Sequence, residues 1–191
     1  LERYLSVAYD SGATPVVVLT KSDLCSDVES KILEAQNVAP GVDVLAISSL
    51  DEDYEAVMNF ILPGKTVAFI GSSGVGKSTL INKLTGTDSI ATSEIGNDDK
   101  GRHTTTHREL IQLPNGAFVI DTPGMRELGM WDNGDGIDTA FADIEALSRA
   151  CRYTDCTHTA EPGCAVLRAL ADGTLDAARL ASYRKLKTEN D

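Results

Sequence analysis

The sequence lacks any long run of apolar residues. Its longest apolar stretches are residues 15–19 and 67–70, whereas a helix needs about 20 such residues to cross a bilayer. The chain also has no basic segment followed by an apolar one at its start, which argues against a secretion signal. We therefore expect a cytoplasmic protein without a membrane partner. The first residue is Leu1 and not methionine, which we interpret as a sign that the chain is a fragment.

Positive charge is also scarce. The chain has 17 lysine and arginine residues against 29 aspartate and glutamate residues, a net charge of −12. Such an acidic surface opposes nonspecific binding to nucleic acid, so contact with RNA requires a local basic patch. Hydrophobic residues make up 42% and charged residues 24% of the chain. These values are close to the average of globular domains, which argues against a disordered chain and a coiled coil.

Cysteine is rare except in one segment. Three of the four cysteines, together with a histidine, fall within residues 151–164. Because three thiolates and an imidazole form a closed tetrahedral set, we predict one structural zinc ion without a catalytic role. The predicted ligands are Cys151, Cys156, His158 and Cys164. The alternative is a group of buried free cysteines. Cys25 stands apart, and we interpret it as an ordinary thiol.

Apolar runs alternate with segments of helical spacing along the chain. Strands are predicted at residues 15–20, 42–47, 65–70, 109–113 and 117–121, and Asn115-Gly116 predicts a hairpin between the last two. Helices are predicted at residues 28–36, 54–62, 77–84, 137–149, 164–171 and 175–187. The alternation predicts an α/β fold with a mainly parallel sheet and helices on both faces. Residues 88–106 have no apolar periodicity, and we predict a long functional loop there.

A phosphate-binding motif follows the third predicted strand. Residues 71–78 read GSSGVGKS and open a predicted helix, which is the context that defines a P-loop. Its backbone N–H groups are expected to cradle phosphate oxygens, while Lys77 reaches the β and γ phosphates and the Ser78 hydroxyl binds Mg²⁺. The predicted nucleotide contacts are Gly71, Ser72, Ser73, Gly74, Val75, Gly76, Lys77, Ser78 and Thr79. The alternative is a Gly/Ser loop with a chance lysine.

Two further segments are typical of the parts of a nucleotide enzyme that hold the γ-phosphate and its metal. Asp121 ends a predicted strand in the sequence DTPG. It is expected to bind Mg²⁺ through water, while the Gly124 N–H meets the γ-phosphate. A threonine among residues 104–106 is expected to complete the Mg²⁺ shell, and we favour Thr105. The predicted magnesium residues are therefore Ser78, Thr105 and Asp121.

A base-recognition motif follows the first predicted strand. Residues 20–23 read TKSD and resemble the N/T-K-x-D element of GTPases. The Asp23 carboxylate can accept both the N1–H and the N2–H₂ donors of guanine, a donor pair that adenine lacks. Lys21 is expected to lie along the base, and Thr20 replaces the commoner Asn with the loss of one amide contact. Ser48 and Ser49 form the predicted second guanine element, in which the Ser49 N–H meets O6.

The order of these segments differs from that of Ras-like GTPases, in which the phosphate segments precede the base segments. Here TKSD comes first, and the P-loop and DTPG follow. The chain is therefore predicted to be circularly permuted. A nucleotide site tolerates this change because all its loops lie at the carboxyl edge of one sheet. DTPG then leads directly into the C-terminal segment, which suggests a mechanical link between nucleotide state and the Cys/His cluster.

One residue needed for rapid hydrolysis is missing. Met125 stands where Ras-like enzymes have a glutamine that orients the attacking water, so slow intrinsic hydrolysis is expected. His103, in the threonine-rich loop, is our candidate for that role, whereas His107 is at least as well explained as a structural residue. The predicted catalytic residues are therefore His103, Thr105 and Lys77.

The motifs TKSD, GSSGVGKST, GRHTTT and DTPG and the Cys/His cluster occur in an order that resembles the RsgA (YjeQ or EngC) family of circularly permuted GTPases of bacterial ribosome assembly. The resemblance covers essentially the whole chain. It implies hydrolysis of GTP to GDP and phosphate, stimulated by the 30S subunit, in late 30S maturation. It also implies contact with 16S rRNA, mostly through parts that include an N-terminal OB-fold domain missing from this chain.

We accordingly predict a circularly permuted P-loop GTPase domain at residues 1–148 and a zinc-binding helical module at residues 149–191, in a monomer. One alternative is a permuted GTPase of 50S assembly, which the zinc cluster disfavours. Another is a nucleotide-gated RNA- or protein-binding module with negligible turnover, which Met125 favours. A P-loop kinase is a third, and the guanine element argues against it.

Overall fold

The computed structural model describes residues 1–48, 54–86, 109–121 and 134–190. In chain order its elements are α1 (Glu2–Asp10), β1 (Val16–Leu19), α2 (Val28–Val38), β2 (Asp43–Ala46), α3 (Glu55–Met58), β3 (Thr66–Ala68), α4 (Lys77–Thr85), β4 (Glu109–Gln112), β5 (Phe118–Asp121), α5 (Gly134–Ala140), α6 (Ala142–Ser148), α7 (Ala165–Ala171) and α8 (Ala177–Asn190). The chain divides into two compact units. A helical unit comprises Leu1–Pro15, Val38–Pro40 and Leu128–Asp191, and a sheet unit comprises Val16–Asn37 and Gly41–Glu127.

The strands of the sheet unit are those that the sequence predicts. β1 pairs in parallel with β2, from Val16 opposite Asp43 to Leu19 opposite Ala46. β3 pairs in parallel with β5, and β4 pairs antiparallel with β5. The predicted hairpin between β4 and β5 is confirmed, and Gly116 supplies the positive φ of 84° that its turn requires. Within the described residues, hydrogen bonds therefore define a parallel pair and a three-stranded sheet of order β3-β5-β4.

Both sheets contribute to one apolar cluster. Ile47, at the end of β2, and Val119, in β5, are buried in it together with Leu80, Ile81 and Leu84 of α4. Leu80 and Leu84 are four residues apart, so they share one face of the helix. Burying this face fixes α4 against the strands, and with it the loop that precedes α4.

Two helices, α5 and α6, occupy the region where we predicted one. The prediction of a single helix at residues 137–149 is wrong, because Phe141 leaves the helical conformation, with φ −116° and ψ 36°, and separates the two helices. The Phe141 side chain is fully buried and packs edge-on against Tyr183 at a ring separation of 5.4 Å. Its burial explains the break, because an aromatic core contact outweighs one turn of helix.

The helix predicted at residues 54–62 is also shorter than expected. α3 ends at Met58, and the next turns are held by bonds from the Phe60 N–H to Val57 and from the Ile61 N–H to Met58. These bonds span three residues, so the helix tightens as it ends. Pro63 disfavours helical geometry at Leu62 and stops the helix from continuing.

Helix α1 was not predicted, and it belongs to the helical unit. Ser6 of α1 is fully buried, and a Cβ on Gly136 of α5 would lie 2.3 Å from the Ser6 carbonyl oxygen. The Gly136 N–H donates to Asp10 Oδ1 at 2.5 Å. Only a glycine allows this close approach of α1 and α5. The domain boundary that we predict between residues 148 and 149 stays a prediction, and the compact units divide the chain elsewhere because α1, α5 and α6 group with the C-terminal helices.

A buried arginine connects the helices of this unit. Arg179 of α8 is 9% exposed and forms two 2.6 Å bonds with the Asp143 carboxylate of α6. It also donates to the Ala140 carbonyl of α5 at 2.9 Å, and its guanidinium lies 4.8 Å from the Phe141 ring centre. Burial raises the pKa of Asp143, but the Arg179 guanidinium and the backbone N–H groups of Ile144 and Asp143 together lower it by more, so the pKa lies below its ordinary value.

Replacing Arg179 should destabilise the helical unit. We expect Arg179→Met to lower the local free energy of unfolding by about 2–4 kcal/mol, because it leaves Asp143 and a buried carbonyl without their donor. Hydrogen exchange of the α5, α6 and α8 amides measures the change. Lys31→Met is the control, since its pair with Glu34 is solvent-exposed, and it should leave exchange in the helical unit unchanged. Equal exchange in the two variants would contradict this role of Arg179.

Candidate nucleotide and metal sites

The P-loop has the predicted context. It follows β3, and α4 begins at Lys77. Gly74 and Gly76 have φ values of 77° and 95°, which only glycine adopts readily. The Lys77 ammonium donates to the carbonyl oxygens of Gly71 at 2.6 Å and Ser72 at 2.7 Å. The loop therefore curls around its own lysine, which places the positive charge where a phosphate would meet it.

The base-recognition segment contacts the P-loop directly. The Thr20 hydroxyl donates to the Val75 carbonyl at 2.7 Å, and the Lys21 ammonium donates to the Gly74 carbonyl at 2.8 Å. Lys21 itself adopts left-handed geometry, with φ 60° and ψ 38°, an uncommon conformation for this residue type that tends to occur at functional sites. The sequence predicted that Thr20 loses one amide contact with the base, but it did not predict the hydrogen bond from Thr20 to the P-loop. Through that bond, the Thr20 hydroxyl connects the base segment to the P-loop.

Asp23 is positioned by a buried serine. Ser48 is only 2% exposed, and its hydroxyl donates to Asp23 Oδ1 at 2.8 Å. The Ser22 N–H donates to the Ile47 carbonyl at 3.1 Å, which fixes the loop after β1 to the end of β2. A carboxylate has about four acceptor sites, so Asp23 keeps the capacity for two further N–H donors. Ser48 was predicted from its place after β2, but its hydrogen bond to Asp23 was not.

Several predicted residues have no described side chain. Ser49, His103, Thr105, Gly124 and Met125 lie outside the described residues, and only the backbone of Asp121, at the end of β5, is described. Ser78 and Thr79 lie in the first turn of α4. Their roles in binding nucleotide stay predictions, as does the magnesium set of Ser78, Thr105 and Asp121.

The Cys/His cluster comes together in the helical unit. One ligand atom from each of Cys151, Cys156, His158 and Cys164 lies within 4.8 Å of the others. The Cys151 and Cys164 sulfurs are 3.8 Å apart, and His158 Nδ1 lies 3.6 Å and 3.4 Å from them. A tetrahedral zinc ion with bonds of about 2.3 Å to sulfur and about 2.0 Å to nitrogen separates its ligand atoms by roughly 3.5–3.8 Å. The donor set and its spacing therefore fit zinc.

Backbone N–H groups favour the charged form of one cluster sulfur. Cys151 accepts from the Ala165 N–H at 3.3 Å, at the start of α7. Burial raises the pKa of Cys151, but the N–H groups of Ala165 and Val166, together with hydrogen bonds to Cys164 and Cys156, lower it by more, so it lies below its ordinary value. Burial and the neighbouring Cys164 and Cys151 sulfurs raise the pKa of Cys156 to about 11. Three thiolates this close repel one another, and a divalent cation relieves that repulsion.

Glu161 shapes the loop that carries His158, and the sequence did not predict this role. Its carboxylate accepts from the N–H groups of Thr157 at 2.7 Å, Thr159 at 2.8 Å and Ala160 at 3.0 Å. The Thr157 hydroxyl also donates to it, and these bonds hold the pKa of Glu161 well below its usual range. A carboxylate that follows a short polar run inside a Cys/His segment is the signal that could have indicated this role.

These features define a P-loop nucleotide-binding fold with a guanine-type base segment ahead of its phosphate segment, which is a circularly permuted GTPase architecture. The family model described as RsgA GTPase matches residues 1–131. The chain belongs to the RsgA GTPase family. It is 54% identical over 191 residues to small ribosomal subunit biogenesis GTPase RsgA 2 of Lactiplantibacillus plantarum, covering 99% of this chain and 54% of the relative.

Other relatives and solved structures agree with this membership. The chain is 50% identical over 196 residues to small ribosomal subunit biogenesis GTPase RsgA of Streptomyces avermitilis, covering 100% of this chain and 52% of the relative. YjeQ from Thermotoga maritima superposes with a TM-score of 0.71 at 26% identity, covering 98% of this chain and 64% of that structure. YloQ, a circularly permuted GTPase, gives 0.69 at 29% identity, covering 98% and 61%.

The chain spans about half the length of the curated relatives that it matches. Among the described residues, no helix is both long and apolar enough to cross a membrane.

Proposed function

We propose that this chain is the GTP-hydrolysing part of a cytoplasmic factor that acts on the small ribosomal subunit late in its maturation. The main support for the proposal is that the base segment is joined to the P-loop by hydrogen bonds. The Thr20 side chain donates to the Val75 carbonyl, and the Lys21 side chain donates to the Gly74 carbonyl. This joining supports a single nucleotide site, in which the Asp23 carboxylate would recognise guanine and the Lys77 ammonium would bind phosphate. The names of the relatives support small-subunit biogenesis as the process.

The roles within this site follow from chemistry. Asp23, held by Ser48, accepts the two guanine donors, and the Ser49 N–H meets O6. The P-loop amides and Lys77 bind the β and γ phosphates. Ser78, Thr105 and Asp121 would hold Mg²⁺, which would supply positive charge to the phosphates. Gly124 senses the γ-phosphate from the segment that leads into the helical unit, which links the nucleotide state to that unit.

We propose a structural role for one zinc ion on Cys151, Cys156, His158 and Cys164. These four protein ligands would complete a tetrahedral zinc site and would leave no position for a reacting water. The ion would fix the segment between α6 and α7. In the longer protein, contact with the 30S subunit and its 16S rRNA would involve this unit and the N-terminal OB-fold domain expected for the family, and the protein would act as a monomer.

The test is phosphate release by the full-length protein during single turnover of GTP, with purified 30S or 50S subunits. We expect 30S subunits to accelerate release and 50S subunits to have no effect. Lys77→Ala should abolish the acceleration, which shows that the P-loop is responsible. Acceleration by 50S subunits alone would favour a factor of large-subunit assembly. GTP binding without acceleration by either subunit would favour a nucleotide-gated binding module.

His103 is the residue through which the threonine-rich loop is expected to act on water. We expect His103→Ala to keep GTP affinity but to lower 30S-stimulated turnover on the order of 10²-fold, the usual scale for a group that orients water or moves a proton. Arg102→Ala is the control at the neighbouring residue, and it should lower 30S-stimulated turnover by less. Single-turnover hydrolysis with saturating 30S subunits measures both. Unchanged turnover in His103→Ala would assign water orientation to another residue or to the ribosome.

A further inference from the structure

The two ring nitrogens of His158 have different surroundings. Nδ1 faces the cluster, at 3.6 Å from the Cys151 sulfur and 3.4 Å from the Cys164 sulfur. Nε2 faces away from it and lies 2.9 Å from the hydroxyl oxygen of Ser148, the last residue of α6. His158 is buried, with 6% of its surface exposed. Nδ1 of the ring therefore faces the cysteine sulfurs, and Nε2 contacts helix α6.

The Ser148 hydroxyl has only one hydrogen, and its second contact determines where that hydrogen lies. Ser148 Oγ is also 2.9 Å from the Ile144 carbonyl oxygen, which can only accept. The hydroxyl therefore donates to Ile144, and its lone pair faces His158 Nε2. That arrangement requires the hydrogen of the neutral imidazole to be on Nε2. The lone pair of the ring is then on Nδ1, directed at the cluster.

We propose that Ser148 is a positioning residue of the metal site: it holds His158 in the Nε2–H tautomer that leaves Nδ1 available to bind zinc. The inference rests on the proposed zinc ion. A metal-binding histidine commonly donates its other N–H to an acceptor that fixes its tautomer and orientation, and loss of that acceptor typically weakens metal affinity 10–100-fold. A serine at the end of α6 serves as that acceptor here.

A second contact holds the backbone of the same ligand. Arg184 of α8 donates to the His158 carbonyl, and His158 has a left-handed φ of 60°. The side chain of His158 is thus secured by α6 and its backbone by α8. Because both contacts end on one ligand, zinc binding at Nδ1 joins the Cys/His segment to these two helices. Ser148 therefore orients the imidazole ring of His158, whereas Arg184 holds the His158 backbone.

Two measurements on the full chain test the proposal. The first is zinc affinity, from competition with a chromophoric chelator, for the parent, Ser148→Ala and Ser148→Thr. We expect Ser148→Ala to bind zinc about 10–100-fold more weakly and Ser148→Thr, which keeps the hydroxyl, to recover most of that loss. Ser182→Ala is the matched control, because the Ser182 hydroxyl bonds to Glu2 on α1, and its zinc affinity should equal that of the parent.

The second measurement needs no variant. In the zinc-loaded parent with 15N-labelled histidine, long-range 1H–15N spectra should show His158 with its hydrogen on Nε2. A hydrogen on Nδ1, or zinc affinity unchanged in Ser148→Ala, would overturn the proposal. Metal analysis of the parent distinguishes failure of the zinc site from failure of the role of Ser148. Absence of zinc refutes the metal site itself, whereas stoichiometric zinc with an unaffected Ser148→Ala variant refutes only the role of Ser148.

Discussion

Asp23→Asn is expected to lower GTP affinity on the order of 10³-fold and to create affinity for xanthosine nucleotides. The Asp23 carboxylate would form two charge-assisted hydrogen bonds with guanine N1–H and N2–H₂, and such bonds contribute about 1.5–3 kcal/mol each. An asparagine amide has one acceptor and one donor group, so it pairs poorly with two donors. It can pair with xanthine, because xanthine presents an oxygen in place of the 2-amino group. Displacement of a fluorescent guanine nucleotide by GTP and by XTP measures the two affinities.

Asp27→Asn is the matched control for this change. Asp27 accepts from the Ser30 N–H at 3.1 Å, at the start of α2, and has no predicted contact with the base. Its substitution should leave the preference for GTP over XTP as it is in the parent. If Asp23→Asn binds GTP as tightly as Asp27→Asn does, the assignment of base recognition to Asp23 fails.

Cys156→Ala is expected to remove zinc and to unfold the C-terminal Cys/His segment while GTP binding persists. Structural zinc supplies about 10–16 kcal/mol of apparent binding free energy in small metal-dependent folds, far more than the packing of a short loop. The segment between α6 and α7 has few buried side chains besides the cluster itself, since His158 and Cys164 are its buried members among residues 149–164. The described residues that we predict to contact the nucleotide are all in the sheet unit, as are the hydrogen bonds between them, so nucleotide binding should survive.

Metal analysis and hydrogen exchange measure the two parts of this result. We expect the parent to contain one zinc per chain and Cys156→Ala to contain little, with rapid exchange of the amides of residues 149–164. Cys25→Ala makes the same change outside the cluster and should keep both zinc and slow exchange. Protein prepared without chelator that lacks zinc but has a folded tail would show that the cysteines serve another purpose.

The parts of the fold that the sequence predicted are those with a local signal. The five strands of the described part of the chain were predicted because short apolar runs bounded by polar residues are distinctive, and Asn115-Gly116 indicated the hairpin directly. The P-loop was predicted because its glycines, lysine and following helix form one continuous segment. In each case, the information lies within about ten residues of sequence.

The features that were missed depend on contacts distant in sequence. Helix α1 owes its place to Gly136, which is 126 residues from its partner Asp10, so no local pattern indicates the contact. The break at Phe141 depends on burial against Tyr183 of α8, which overrides local helical spacing. Ser148 and Arg184 support His158 from two different helices. A sequence search for metal ligands finds the cysteines and the histidine, but not the side chains that orient them.

We propose that the base segment and the P-loop form one guanine-nucleotide site. Displacement of a fluorescent GDP analogue from the purified chain by unlabelled GDP or ADP tests it most directly. The claim predicts that GDP displaces the analogue at concentrations on the order of 10³-fold lower than ADP, because a site built to bond the guanine donors rejects a base that lacks them. Displacement by GDP and ADP at similar concentrations would contradict it.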